Sequence, residues 1–108
     1  RVHAVARFSD PALAEALAAD GVEPIRADAT DRAALERLPE AGSVLYLVGQ
    51  KFGTRHDPVA TWAQNVIAPV LAAERFRSAR VVVFSTGNVY PHTPVVAGGA
   101  DEAHPLVP

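Results

Sequence analysis

Ser85 and Thr86 close the apolar run Val81-Val82-Val83-Phe84 and are followed by Gly87, Asn88, Val89 and Tyr90. Four consecutive bulky apolar residues fit a strand buried on both faces, as in a parallel sheet covered by helices. Ligands of open α/β sheets bind beyond the carboxyl ends of such strands, where this sequence turns abruptly polar. Two hydroxyls there would look into a site, and a fixed donor at that place can stabilise charge on a reacting oxygen. Taken alone, the same pair would serve equally well to cap backbone groups at a strand end.

Other residue types capable of chemistry are sparse. His3, His56, His92 and His104 show no metal-ligand spacing and read as surface or loop histidines, so no metal site is expected. Ser85, His92 and Asp101 can be drawn as a hydrolytic triad, but the Gly-x-Ser-x-Gly elbow is lacking. The sequence contains no cysteine, which removes disulfides, thiol nucleophiles and thiolate metal sites. At 108 residues, 49% hydrophobic and a formal charge of −2, the chain has the balance of one ordinary globular domain. Neither nucleic acid nor a membrane is expected as a partner, and a cytoplasmic location is expected.

The elements that must position these residues alternate between strand and helix. Residues 2–6 form a short strand pattern, and Ser9-Asp10-Pro11 starts a helix with a capping side chain and proline at its first position. Leu13 and Leu17 share one face of that helix, and Gly21 is placed to close it in the left-handed conformation. Residues 22–27 give a second strand, and Asp28-Ala29-Thr30-Asp31 feeds a short helix with Leu35 and Leu38 inward, stopped at Pro39. Residues 43–49 make a third, nearly continuous apolar strand, predicted to be central. Pro58 opens the longest helix, to about residue 77, with Val59, Trp62, Ala63, Val66, Ile67, Val70 and Leu71 as its inward stripe; Trp62 and Phe76 are expected in the core. Pro69 should kink this helix. Residues 80–85 are the fourth strand, followed by a proline-rich irregular loop. The fold class is α/β, with right-handed crossovers and a parallel sheet.

This order of elements, with these residues, resembles the extended short-chain dehydrogenase/reductase family, the NAD(P)-dependent epimerases and dehydratases. The resemblance spans essentially the whole chain, from the family's second strand to the loop after its fifth. Ser85-Thr86-Gly87-Asn88-Val89-Tyr90 looks like its Ser-Ser/Thr-x-x-Val-Tyr-Gly signature, with Pro91 in place of the last glycine. The resemblance makes Thr86 the catalytic hydroxyl, and it puts Ser85 beside the cofactor. Asp28-Ala29-Thr30-Asp31 resembles an Asp-x-x-Asp whose first acid accepts from the adenine amino group, while Asp31 suits a helix cap. Residues 44–49 align with a strand ending in small residues that let the backbone approach the cofactor; Gly49 fits and Val48 is bulkier than usual. Lys51 stands where sugar-nucleotide epimerases contact cofactor phosphate. Asn65-Val66-x-Ala68 is similar to the Asn-Val-x-Gly whose asparagine supports the cofactor ribose or the catalytic lysine. Arg7 and Ser9 follow the first strand where NAD-specific members carry an acid. A guanidinium takes a 2′-phosphate bidentately and an acid repels it, which favours NADP over NAD.

Two parts of the family's machinery lie outside this sequence: the glycine-rich phosphate loop and the Tyr-x-x-x-Lys pair. The chain therefore reads as an internal piece of one NAD(P)-binding Rossmann-like domain, residues 1–108, incomplete at the first strand and the C-terminal part. The family's sheet order would leave a gap of two strand spacings, roughly 9–10 Å, between the first and third strands seen here. Buried unpaired backbone groups are costly, so either a strand comes from outside these residues or the chain re-pairs or stays loosely folded. Gly87 and Asn88 stand where dehydratases carry an acid pair, which favours epimerase-like or reductase-like chemistry. The resulting expectation is hydride transfer on a sugar-nucleotide-like hydroxyl or carbonyl substrate. The alternative is a non-catalytic dinucleotide-binding sensor or interaction domain, to which Val48, Ala68, Pro69 and Pro91 point. The expected partners are a small-molecule substrate and a second copy in a homodimer.

Overall fold

Local signals set most of the element boundaries in the computed structural model, which describes residues 1–51, 53, 55–85 and 89–106. Strand β1 is His3–Ala6, and helix α1 is Pro11–Ala19. The Asp10 carboxylate accepts from the Ala12 N–H at 3.0 Å, and Pro11 takes the first turn, where its missing N–H costs nothing. At the other end Gly21 has φ 79°, and Gly21 and Val22 donate to the carbonyls of Ala18 and Leu17, both at 3.0 Å. These are the two bonds of a Schellman closure, which a left-handed glycine makes cheap. Strand β2 is Glu23–Arg26 and helix α2 is Arg32–Glu36, capped by Asp31 accepting from the Ala34 N–H at 3.2 Å. Strand β3 is Ser43–Tyr46, helix α3 is Pro58–Trp62 with Asp57 as its cap at 2.8 Å, helix α4 is Ala68–Arg75, and strand β4 is Arg80–Val83.

Between α3 and α4 lies one π-helical turn, Ala63–Ile67. Proline 69 has no N–H to return to the Asn65 carbonyl, so an α-turn there would lose a bond and meet the proline ring. The chain instead closes a wider turn, with the Ala68 N–H donating to the Ala63 carbonyl, and Pro69 falls in the first turn of α4, where it is tolerated. The expected kink is therefore absorbed as a π-turn.

The fold is mixed α/β. β1 pairs in parallel with β2, and β3 in parallel with β4, in two separate two-stranded sheets. The observed strands are shorter than the apolar runs: the third ends at Tyr46 and the fourth at Val83. The core is built from Ala27, Ala34, Leu35 and Leu38, with Ile25, Leu71 and Phe76 packed against it. It joins β2, α2 and α4. Leu35 and Leu38 point inward as expected, and Phe76 lies at the edge of the core.

Three expectations are corrected. Trp62 is 67% exposed, and Val59, Val66, Ile67 and Val70 are exposed too. The stripe that α4 buries is Ala68, Leu71, Ala72 and Arg75, because small residues let α4 approach α2 and Arg75 finds acceptors there. Leu13 is exposed and only Leu17 of the two is half-buried, since α1 packs chiefly on β2. The third strand is not enclosed: Tyr46 is buried, but Leu45 and Leu47 are bare, as are Val82 and Phe84 on the neighbouring strand. A radius of gyration of 16.7 Å agrees with this; a closed domain of this length would have about 13 Å. Among the described residues no helix is long and apolar enough to cross a membrane.

Arg75 links the two halves. Its Nε donates to the Leu35 carbonyl at 3.1 Å and one terminal nitrogen to the Leu38 carbonyl, at the end of α2, while the other meets Glu40 at 2.9 Å. Its guanidinium carbon also stands 5.0 Å from the Phe76 ring centre. The Arg75 side chain is only 13% exposed, so its hydrogen bonds are largely shielded from water. Replacing it by Met should cost about 2–3 kcal/mol, as expected for losing charge-assisted bonds to two carbonyls, of which Leu35 keeps only the Leu38 N–H. Arg75→Lys should recover less than half of that, because an ammonium cannot span both carbonyls as the planar fork does. Glu40→Gln, on an exposed carboxylate, should cost less than about 1 kcal/mol. Urea unfolding of the three variants checks this ranking.

Candidate functional site

The carboxyl ends of the two sheets gather most of the residues singled out by sequence. In the first sheet Ala6 is paired with Arg26, so Arg7 and Asp28 follow from neighbouring strand ends. Asp28 forms a tight turn with Thr30: one carboxylate oxygen accepts from the Thr30 N–H at 2.8 Å and from its hydroxyl at 2.7 Å. The Thr30 hydroxyl and N–H hold the Asp28 carboxyl below the usual carboxylate range against a smaller opposing effect of burial, and the field of the Arg7 guanidinium adds the least. Asp28 is therefore ionised at neutral pH, with its second oxygen outside the turn. Ala29 is half-buried in the same turn, and Asp31 caps α2. Arg7 and Ser9 are exposed, on either side of Phe8. Phe8 has φ 44°, a left-handed conformation that a bulky residue rarely adopts, so the chain reverses sharply as it leaves β1.

In the second sheet the corresponding group is Val48, Gly49, Gln50, Asn65 and Ser85. The Asn65 side chain grips one peptide: its Oδ1 accepts from the Gln50 N–H at 2.7 Å and its Nδ2 donates to the Gln50 carbonyl at 3.0 Å. This reciprocal pair fixes the chain that leaves β3 against the π-turn of the following helix. Gly49 lies under it, where an added Cβ would meet the Asn65 Oδ1 at 3.6 Å, an ordinary contact. Sterically, then, alanine fits at 49. Val48 is 40% exposed and Ser85 is exposed beyond the end of β4. Lys51 is exposed on the same loop as Gln50. Thr86, with Gly87 and Asn88, lies outside the described residues.

The sheet register thus brings Arg7 to Asp28, and the asparagine clamp brings Gly49 to Asn65. The two groups sit on different sheets. Three participants escaped the sequence reading. Thr30 orients Asp28, and the Asp-x-Thr spacing is itself a turn signal that could have revealed it. Gln50 enters the Asn65 clamp through its peptide group, which no side-chain pattern announces. Tyr46 is buried with a hydroxyl that has no hydrogen-bond partner among the described residues, and burial raises its pKa, so it stays protonated. Farther along, Asp101 and His104 pair at 2.8 Å in an exposed loop, which takes Asp101 away from any arrangement with His92. Among the described residues no group of three metal-ligating side chains is assembled.

No protein-family model matches the chain, and a search of curated proteins finds no match. The site's chemistry is therefore argued from its own geometry: an ionised carboxylate held by Thr30 at one strand end, with Arg7 following the neighbouring strand, and a small-residue strand end held by Asn65 at the other.

Two substitutions test this geometry. Thr30→Val removes a hydroxyl bond to Asp28 and should raise its pKa toward the ordinary value, measured by carboxyl NMR titration. A depressed carboxylate pKa stabilises the fold above the unfolded-state pKa and loses that contribution as pH falls through the folded value. The stability difference between the native chain and Thr30→Val should therefore be largest near neutral pH and shrink in strong acid. Asn65→Ala should cost about 1–2 kcal/mol for two lost hydrogen bonds and speed amide exchange at Gln50, whereas Asn65→Asp should retain the bond from the Gln50 N–H.

Proposed function

We propose that these residues form part of an NAD(P)-dependent epimerase or reductase of the extended short-chain type, within a Rossmann-like domain, acting on a sugar-nucleotide-like hydroxyl or carbonyl substrate. The observation that supports this best is Asp28, held ionised by Thr30 just beyond the carboxyl end of β2, next to the end of the parallel strand β1 that Arg7 follows, the position where open α/β sheets take nucleotide ligands. The ionised Asp28 is suited to accept from an adenine amino group. Arg7, exposed and cationic, is suited to a ribose 2′-phosphate, which favours NADP over NAD.

At the second strand end Gly49 offers the bare backbone that a coenzyme must approach, and Asn65 keeps that backbone in place through Gln50. Asn65 thus acts as a positioning residue, with its amide committed to the peptide. Lys51 follows on the same loop as a cation for phosphate. Ser85 follows the end of β4 at this site, and the next residue in sequence, Thr86, is proposed to give the hydroxyl that hydrogen-bonds the reacting oxygen of the substrate. When bound, the nicotinamide supplies hydride transfer. The proton that accompanies it would be moved by a tyrosine outside residues 1–108.

Titration of the isotopically labelled chain with NADP+ and NAD+, followed by amide chemical shifts, tests the assignment. Saturable shifts are expected at Arg7, Asp28 and Gly49, with NADP+ binding more tightly. Arg7→Asp should weaken NADP+ by about tenfold, about 1.4 kcal/mol, and leave NAD+ no weaker. Gly49→Ala should keep the fold yet weaken both. Absence of saturable shifts at these strand ends, or an Arg7→Asp chain that binds NADP+ unchanged, would sink the reading. In the complete enzyme Thr86→Ala should retain coenzyme affinity and lose turnover.

A further inference from the structure

Helices α2 and α4 line a groove with matching sets of side chains. Arg32, Leu35 and Glu36 stand at i, i+3 and i+4 on α2, and Leu71, Glu74 and Arg75 repeat that spacing on α4. Between them, and bounded by Arg77 in the turn after α4, runs an open groove of about 260 Å³. Leu35 is buried and Leu71 half-buried, so they form its floor, while Arg32, Glu36, Glu74 and Arg77 are exposed along its rim.

The rim charges pair in a way that leaves two over. Arg32 stands four residues before Glu36, and Glu74 three residues before Arg77, spacings at which opposite charges on a helix attract. Arg32 instead reaches from one helix to the other, with its Nη2 on the Glu74 Oε2 at 2.7 Å. Arg75 is committed as well, to the carbonyls of Leu35 and Leu38 and to Glu40. Glu36 and Arg77 therefore have neither an ion pair nor a hydrogen bond among the described residues. A lone carboxylate stands on the α2 side and a lone guanidinium at the end of the α4 side, with an apolar floor in the same groove.

That arrangement selects a ligand by its charges. A simple anion would suit Arg77 and be repelled by Glu36, and a simple cation would meet the reverse. A molecule with one charge of each sign suits both. The groove falls below the roughly 300–1,000 Å³ of sites that enclose drug-sized ligands, so its occupant is small.

We propose that the groove between α2 and α4 binds a free aliphatic α-amino acid of the leucine type. Its carboxylate lies on Arg77, its ammonium on Glu36, and its side chain over Leu35 and Leu71. A guanidinium can take a carboxylate through a pair of parallel N–H bonds, which fixes the orientation of the ligand. Bound beside Arg75, the amino acid touches both helices and stabilises the packing of α4 on α2 by mass action. The site shares no residue with the coenzyme reading and stands whether or not that reading holds.

The test is a titration of the labelled chain with L-leucine, followed by amide chemical shifts. It is repeated with N-acetyl-leucine, leucinamide and glycine, which lack in turn the ammonium, the carboxylate and the apolar side chain. Leucine should give saturable shifts at Leu35, Glu36, Leu71 and Arg77, raise Tm, and bind about tenfold or more tighter than each analogue. Glu36→Gln should weaken leucine by about tenfold and leave N-acetyl-leucine no weaker. Arg77→Gln should weaken leucine by a similar factor and leave leucinamide no weaker. Both side chains are exposed, so these variants keep the fold, and the analogue series on the native chain needs no variant. Absence of saturable shifts at the four residues, an analogue that binds as tightly as leucine, or variants that bind leucine unchanged would overturn the proposal. So would saturable shifts confined to the strand ends.

Discussion

The guanidinium of Arg75 is the tie on which the arrangement of this chain depends. Among the described residues the two parallel sheets share no strand pairing, and the core between them is a handful of small and medium side chains. What holds the β3–β4 half against the β1–β2 half is the packing of α4 on α2, and Arg75 sits at that contact with its nitrogens on two carbonyls and one carboxylate. Those carbonyls lie at the end of a five-residue helix, where the Leu35 carbonyl keeps a single backbone donor, the Leu38 N–H at 3.1 Å, and the guanidinium supplies the rest. One side chain therefore satisfies the end of α2 and fixes the distance to α4. The exposed Arg32–Glu74 pair beside it adds little, since both partners remain in water.

The order of elements was legible in the sequence because its punctuation is local. Asp10 with Pro11, Gly21, Asp31, and Asp57 with Pro58 each act within a few residues of themselves, so their chemistry does not depend on what packs nearby. The inward faces were less legible. A stripe of large apolar residues from Val59 to Val70 looks like the side to bury, yet burial needs a neighbour, and the neighbour that α4 has is α2. Close approach there selects Ala68 and Ala72, and a cation that finds carbonyls. No periodicity shows that an arginine belongs on the buried side, because the acceptors lie 37 and 40 residues away.

The candidate site divides in the same way. Asp31 was recognisable as a cap because its partner, Ala34, follows at once, whereas the Asp28 turn with Thr30 is just as local but lay inside a motif read for its ligand. Asn65 was recognisable as a polar residue of interest, but its grip on Gln50 spans 15 residues and uses only main-chain atoms of its partner. Its position depends on the π-turn, which in turn follows from Pro69. A residue that looked like a defect in a long helix thus sets the geometry at the end of β3.

That π-turn has a further effect on the helix as a whole. Successive helical residues advance by about 100°, so one extra residue in a turn slips the phase of everything after it by nearly that angle. The apolar positions before the slip and those after it cannot lie along one continuous line, however regular their spacing looks on paper. The segment from Pro58 to Arg75 behaves as two helical surfaces end to end, set at different rotations about a shared axis. One is committed to α2; the other, led by Val59 and Trp62, is free to face a different neighbour without disturbing the first.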